Sequence, residues 1–333
     1  MKYNYLGRSN LVVSKVCLGT MHIGNLTEDA EAFQIMDKAI DMGINFFDTA
    51  NIYGSVPGRT EEVIGKWLSQ GNGRRDKIVL ATKGYQNMVK DHYVPNEEEG
   101  VSMHKFRKHM EDSLRRLQTD HVDLYQVHHI DKRVSIEEFW GALDRMVDKG
   151  DTDYIGTSNF TGWALEKFQL AAKQRGRVGI VSEQTMYNML CRYPELEIIP
   201  ACEDLGIGLI PYMPLAGGLL AGKTKESAGF RTNQVAGEYN IAYEENKQIK
   251  RFLKLCNEID EKPNVVAAAW VLSHSVVSSV VIGIRTLQQL EDMERISEVR
   301  LEENVIKELN EIFDINSGRA LRNSMEVPNA FAW

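Results

Sequence analysis

Residues 217–224 read GGLLAGKT, and shortly before them the apolar run LGIGLIPY (205–212) has the look of a strand. Gly217, Gly222, Lys223 and Thr224 fill the fixed positions of Gly-x-x-x-x-Gly-Lys-Thr, the loop that wraps a nucleotide triphosphate. Such a loop works because its glycines aim backbone N–H groups at phosphates from the start of a helix. The residues after Lys223, TKESAGFRTNQVAGEYN (224–240), carry no helical apolar periodicity. The last apolar run, SSVVIGIR (278–285), ends in glycine and arginine, with no aspartate for a magnesium ion. The stretch therefore reads as a glycine-rich, phosphate-friendly loop after a strand, in a chain that is not a triphosphatase.

Outward from this loop, apolar and amphipathic runs alternate along the chain. Strand-like runs stand at 15–19, 44–50, 77–83, 122–129, 153–159, 179–184, 207–212 and 276–283, and helix-like runs lie between them. Thr27 is the expected N-cap of the first helix and Gly43 its stop. Ser102 is expected to cap the third helix, and Ser135 with Glu138 to form a capping box on the fourth. Helix is expected from about Ala242 to Ser275, over LQQLEDMERIS (287–297), and over 302–314.

Eight β-α units in about 300 residues predict an α/β fold, a single (β/α)8 TIM barrel. A doubly wound sheet would place Gly-x-Gly-x-x-Gly after its first strand, and VCLGTMHIG (16–24) lacks it. YNYLGRS (3–9) and LVVSK (11–15) predict an N-terminal β-hairpin that plugs the barrel bottom. Nothing linker-like interrupts residues 1–333, which read as one domain. In barrels, the loops after strands seven and eight are the usual phosphate sites, which suits 217–224.

The 333 residues are 43% hydrophobic and 26% charged, as in soluble globular proteins, and the formal charge of −8 argues against a nucleic-acid partner. MKYNYLGRSN lacks a signal-peptide core, and VVAAAWVL (265–272) is too short to cross a bilayer, so a cytoplasmic protein with no membrane partner is expected. Cys17, Cys191, Cys202 and Cys256 show no ligand spacing; they read as reduced apolar filler, with no metal site.

The working face of a barrel is the C-terminal rim of its strands. The second strand ends in Asp48, with Tyr53 in the following loop; the third ends in Lys83; the fourth ends in His128 and His129. A lysine near a barrel interior needs an anion, which Asp48 on the neighbouring strand supplies. The lysine ammonium favours the phenolate of Tyr53, so the tyrosine can protonate an oxygen that is gaining charge. His128 can orient the same oxygen. That chemistry is carbonyl reduction; no side chain supplies a hydride, so a nicotinamide is implied.

At this point the chain resembles the aldo-keto reductase superfamily, in its bacterial branch that acts on sugars and general aldehydes, and more distantly potassium-channel β-subunits. GINFFDTANIYG, EEVIGKWL, VLATKG, SLRRLQTDHVDLYQVHHID, IGTSNF, VSEQTMYN, YMPLAGGLLAGK and VIGIRTLQQLEDM carry the resemblance, in order. It implies a barrel that binds NADP(H), with NAD(H) as the variant. Tyr53 is then the proton donor, and Asp48, Lys83 and His128, chosen over His129, are its partners. Ser158, Asn159 and Gln184 are expected at the nicotinamide carboxamide and Tyr212 against the ring. Leu215, Gly217 and Lys223 are expected at the pyrophosphate, and Gly283, Arg285 and Gln289 towards the 2′-phosphate and adenosine. Met213, Thr286 and Met293 depart from the family pattern and thin these contacts, while Arg285 still favours NADPH.

Three long rim segments, 85–101, 216–241 and 316–333, are expected to shape the substrate pocket, with Tyr85, Tyr93 and Trp333 as candidate substrate contacts beside His92 and Phe331. Mixed polar and aromatic groups suit a sugar-like or other polar carbonyl. The expected activity is NADPH-dependent reduction of an aldehyde or ketone to an alcohol. The alternative is a cofactor-binding auxiliary or redox-sensing subunit with little turnover.

Overall fold

A computed structural model describes residues 1–89, 94–222 and 247–315. Eight parallel strands curl into a barrel, with helices on the outside between them. Its strands are β3 (Val16–Gly19), β4 (Phe46–Asp48), β5 (Val79–Gly84), β6 (Val122–Val127), β7 (Thr152–Ser158), β8 (Ile180–Gln184), β9 (Gly208–Leu209) and β10 (Val280–Gly283). Each pairs with the next in sequence, and β10 pairs with β3. The remaining edges meet beside β9, where Leu209 N donates to Val276 O at 2.8 Å, Ser278 N to Leu209 O at 2.9 Å and Val281 N to Pro211 O at 2.9 Å.

Because side chains alternate along a strand, each strand feeds two cores. Cys17, Phe46, Ala81, Leu124, Ile210 and Val281 fill the barrel interior. Leu6 and Val13 join them from the antiparallel hairpin β1 (Tyr3–Tyr5) and β2 (Val12–Ser14), which closes the floor as the sequence predicts. The outward residues pack on the helices in a larger core; Phe47, for example, stacks on Trp67 with ring centroids 5.6 Å apart. All four cysteines are buried and in no disulfide. No helix among the described residues is long and apolar enough to cross a membrane.

Several local expectations change. Glu28, not Thr27, occupies the N-cap of α1 (Asp29–Asp41), and the Thr27 hydroxyl donates instead to Arg285 O at 3.2 Å. Ser102 caps α3 (Met103–Leu117, after α2 at Arg59–Leu68) by accepting from Lys105 N at 3.1 Å. Ser135 caps α4 (Ile136–Lys149) by accepting from Glu138 N at 3.1 Å, but the reciprocal half of the box is missing: Glu138 accepts from Met103 N at 3.3 Å and so joins α4 to α3. After α5 (Gly162–Gln174) and α6 (Ile198–Leu205), the long expected helix is two, α7 (Lys247–Glu258) and α8 (Pro263–Leu272). Asp260, at φ 50°, breaks the run, and Pro263, which has no N–H to satisfy, starts the second helix. LQQLEDMERIS likewise divides into α9 (Leu287–Leu290) and α10 (Met293–Glu298), before α11 (Glu303–Ile312).

The described part of the glycine-rich loop is a 3-10 turn, Ala216–Ala221, with Gly217 at φ 67° and Gly218 at φ 106°. These left-handed angles suit glycine. Lys223, Tyr93, Trp333, His92 and Phe331 lie outside the described residues.

Candidate active site

Lys83 organises the rim. Its strand β5 is buried along its whole length, and register puts Lys83 opposite Gln126 on β6 with its side chain in the barrel. Lys83 is 0% exposed, and its three ammonium hydrogens have three acceptors: Asp48 Oδ2 at 2.6 Å, Thr49 O at 2.8 Å and Tyr53 Oη at 3.4 Å. Burial alone would lower the Lys83 pKa; the charge of Asp48, then Tyr53 and the hydrogen bonds to both, outweigh it and hold the pKa above its ordinary value. The ammonium also lies 5.0 Å from the centre of the Tyr53 ring.

Asp48 is held from its other oxygen as well. Oδ1 accepts from Gln126 Nε2 at 2.9 Å and from Gln184 Nε2 at 3.0 Å. Gln126 is a member of the constellation that sequence reasoning missed. The signal was present: it stands two residues before His128 on one strand, hence on the same face. Gly156 on β7 leaves it room, because a Cβ there would lie 3.1 Å from Gln126 Cγ and 2.5 Å from Ser182 Oγ. The second amide hydrogen of Gln184 points to Gln126 Oε1 at 3.4 Å, so Oε1 of Gln184 is the atom left for a ligand.

Tyr53 is set by a tight turn after β4. Asn51 N donates to Lys83 O at 3.1 Å, Tyr53 N to Ala50 O at 3.1 Å, and Thr60 N, at the start of α2, to Tyr53 O at 3.2 Å. The Asn51 side chain donates to Nδ1 of His109 at 3.1 Å, whose Nε2 meets Glu97 at 3.3 Å; burial holds the His109 pKa down at about 4, so the ring is neutral. This chain ties the Tyr53 turn to the 85–101 segment.

Four rings line one side of the site. His128 lies edge-on to Tyr53 at 6.1 Å, His129 stacks on His128 at 5.1 Å, and Tyr85 meets His129 edge-on at 5.3 Å. Burial, then the Lys83 charge, pushes the His128 pKa well below its ordinary value, and burial lowers His129 to about 4. Both imidazoles are therefore neutral near pH 7. Of the two, His128 is the one beside Tyr53.

On the strands that follow round the barrel Ser158, Asn159, Gln184 and Tyr212 come together. Asn159 sits at φ 60°, a left-handed conformation that asparagine tolerates better than most residues. It is held there by Asn159 N donating to Gln184 O at 3.0 Å and by its Nδ2 donating to Ser158 Oγ at 2.9 Å and His128 O at 3.2 Å. Its Oδ1 accepts from Tyr212 Oη at 2.9 Å, which fixes the Tyr212 ring. Leu215, at the N-cap of the 3-10 turn, and Gly217 within it follow Met213, itself at φ 57°.

Gly283 at the end of β10, with Arg285 and Gln289 after it, forms a separate group. Gln289 Oε1 accepts from Arg285 N at 2.8 Å, and the His22 ring approaches Gly283 so closely that a Cβ there would lie 3.2 Å from it. Thr286 is exposed, and Met293 is 3% exposed and packs in the main core, so Met293 faces the interior rather than a ligand.

The family model of the aldo/keto reductases matches residues 15–314. An uncharacterized oxidoreductase of Bacillus subtilis, YrpG, is 47% identical over 336 residues, covering 100% of both chains. The versiconal hemiacetal acetate reductase of Aspergillus parasiticus is 31% identical, covering 93% of this chain and 96% of the relative. A probable voltage-gated potassium channel subunit beta of Arabidopsis thaliana is 32% identical, covering 88% and 90%. With eight β-α units and a family match from the first barrel strand to the last helix, this chain belongs to the aldo/keto reductase family.

Proposed function

We propose that this chain reduces an aldehyde or ketone to an alcohol with NADPH, and that Tyr53 gives the proton. The observation that carries the reading is the contact of one buried ammonium with both Asp48 and Tyr53. Bound NADPH would supply the hydride. Tyr53 would protonate the substrate oxygen, and Lys83 would stabilise the phenolate that remains; Asp48 keeps that lysine charged at depth. Neutral His128 would donate a hydrogen bond to the same oxygen and orient it.

The residues suit the dinucleotide. A carboxamide needs both a donor and an acceptor, and Gln184 Oε1, Ser158 and Asn159 offer both kinds, beside a Tyr212 ring fixed by its own hydroxyl. Leu215, Gly217 and Lys223 are proposed at the pyrophosphate, with Gly283, Arg285 and Gln289 at the adenosine end. Tyr85, Tyr93 and Trp333 are proposed at the substrate, a sugar-like or other polar carbonyl.

The test follows loss of NADPH absorbance with a panel of polar and apolar aldehydes and ketones, and compares NADPH with NADH. Turnover of polar carbonyls with NADPH is expected; efficient reduction of apolar ketones with none for polar ones would sink the substrate class. Arg285→Ala is expected to cut NADPH affinity by about 10- to 100-fold while leaving NADH nearly unchanged, since a charge-assisted contact is worth roughly 1.5–3 kcal/mol. Equal losses for both cofactors in a calorimetric titration would remove Arg285 from the 2′-phosphate. The similarity to a channel β-subunit favours a second reading, an auxiliary that binds cofactor with little turnover. Tight NADPH binding without turnover of any carbonyl would support it.

A further inference from the structure

Glu183 is a buried carboxyl that the proposed chemistry leaves unused. It stands next to Gln184 on β8, points outward between the sheet and its helices, and is 0% exposed. No cation among the described residues pairs with it. Its Oε1 accepts from Phe160 N at 3.0 Å, and its Oε2 meets the Thr157 hydroxyl oxygen. Thr157 and Phe160 bracket Ser158 and Asn159, so the carboxyl grips the turn that holds Asn159 left-handed.

Full burial with no cation among the described residues disfavours the ionised acid. Ser182 O, 3.5 Å from Thr157 Oγ1, is too far to compete for the threonine's hydrogen, so the carboxyl is that hydroxyl's partner. With a proton on Oε2 the acid can donate to Thr157 Oγ1 while Oε1 accepts from Phe160 N. Two titratable groups face Glu183, Tyr193 from the 3-10 turn before α6 and Cys202 from α6; burial raises the pKa of both, so both stay neutral. Glu166, Lys167 and Lys173 on α5, which packs over β8, are solvent-exposed, as is Asp153 at the far end of β7. Burial, working against the hydrogen bonds from Thr157 and from the backbone N–H groups of Phe160 and Asn159, pushes the Glu183 carboxyl up to about 8.

We infer that Glu183 is a positioning residue: its carboxyl locks the Ser158–Asn159–Phe160 turn in the shape that receives the dinucleotide, and ionising it loosens that turn. The inference rests on the reading that this turn receives NADPH. A charge buried with no cation must find water, and the nearest route is displacement of the turn it holds. The sign follows: the folded state binds this proton more tightly than the unfolded chain does, so the lock is complete well below the folded pKa and is lost as pH rises through it.

Two measurements test it, both on the full chain. In calorimetric titration, wild-type affinity for NADPH is expected to fall several-fold more than that of Glu183→Gln between about pH 7 and about pH 9. The glutamine keeps the acceptor for Phe160 N and cannot ionise, and the ratio of the two proteins cancels the cofactor's own titration. Without cofactor, amide exchange of residues 157–162, corrected for intrinsic rates, is expected to accelerate over the same range in wild type and to stay level in Glu183→Gln. Equal pH profiles in both measurements overturn the inference. Failure of NADPH to bind wild type at any pH overturns the reading of the site instead, and exchange alone then decides whether ionised Glu183 loosens the turn. Should Glu183→Gln not fold, a flat wild-type exchange profile overturns the inference and a rising one supports it.

Discussion

Tyr53→Phe is expected to lower turnover by about 10²–10⁴-fold while NADPH affinity stays essentially unchanged. The range is that of a general acid whose proton is removed. The lost hydroxyl is one of three acceptors around the Lys83 ammonium, and Asp48 and Thr49 O remain at 2.6 and 2.8 Å, so the cation stays paired. Loss of that one contact costs about 0.5–1.5 kcal/mol of stability, too little to unfold the barrel. Steady-state kinetics with the best carbonyl of the panel, beside a calorimetric titration of NADPH, checks both halves. Near-wild-type turnover would show that the proton comes from elsewhere; lost cofactor binding would show that the ring, rather than its hydroxyl, is what the site needs.

Asp48→Asn is expected to cost about 3–5 kcal/mol of folding stability and nearly all turnover, because it strips the charge partner from an ammonium with no exposure. The pH dependence has a definite sign. In wild type the folded Lys83 pKa is raised, so the pair's contribution is whole below the unfolded lysine's pKa and fades only as pH rises through the folded one. In Asp48→Asn burial acts without Asp48 and disfavours the ammonium. The deficit is therefore largest at neutral and low pH and shrinks as pH approaches the ordinary lysine range. Urea unfolding at about pH 6 and about pH 9 measures this. The double variant Asp48→Asn with Lys83→Met removes the buried charge and is expected to recover part of the loss. A double variant no more stable than Asp48→Asn would show that the cost lies in packing and not in the orphaned cation.

Much of this was legible in the sequence because the informative residues sit on strands. A strand fixes which side chains share a face, and a barrel brings consecutive strand ends to one rim. Asp48, Lys83 and His128 end three neighbouring strands, and Tyr53 follows one of them by a short turn; their meeting needed only the count of β-α units. Caps were less legible. Ser102 and Ser135 bond their own helices through local geometry, whereas Thr27 and Glu138 were drawn to Arg285 and Met103, partners remote in the chain. The long helix after residue 242 was misjudged because its apolar spacing runs through the break at Asp260 and Pro263.

By itself, then, the sequence determined the fold class, the hairpin under the barrel and the meeting of Asp48, Tyr53, Lys83 and His128 at the rim, because alternation and spacing are properties of neighbours along the chain. Only the tertiary structure decided how those residues are wired. Gln126 and Gln184 share one oxygen of Asp48, Asn159 anchors Tyr212, and Glu183 grips the Ser158–Asn159–Phe160 turn from behind the sheet. Each of these bonds joins groups that are far apart in sequence or depends on which lone pair remains, and a buried polar group takes whichever partner the packing brings within reach.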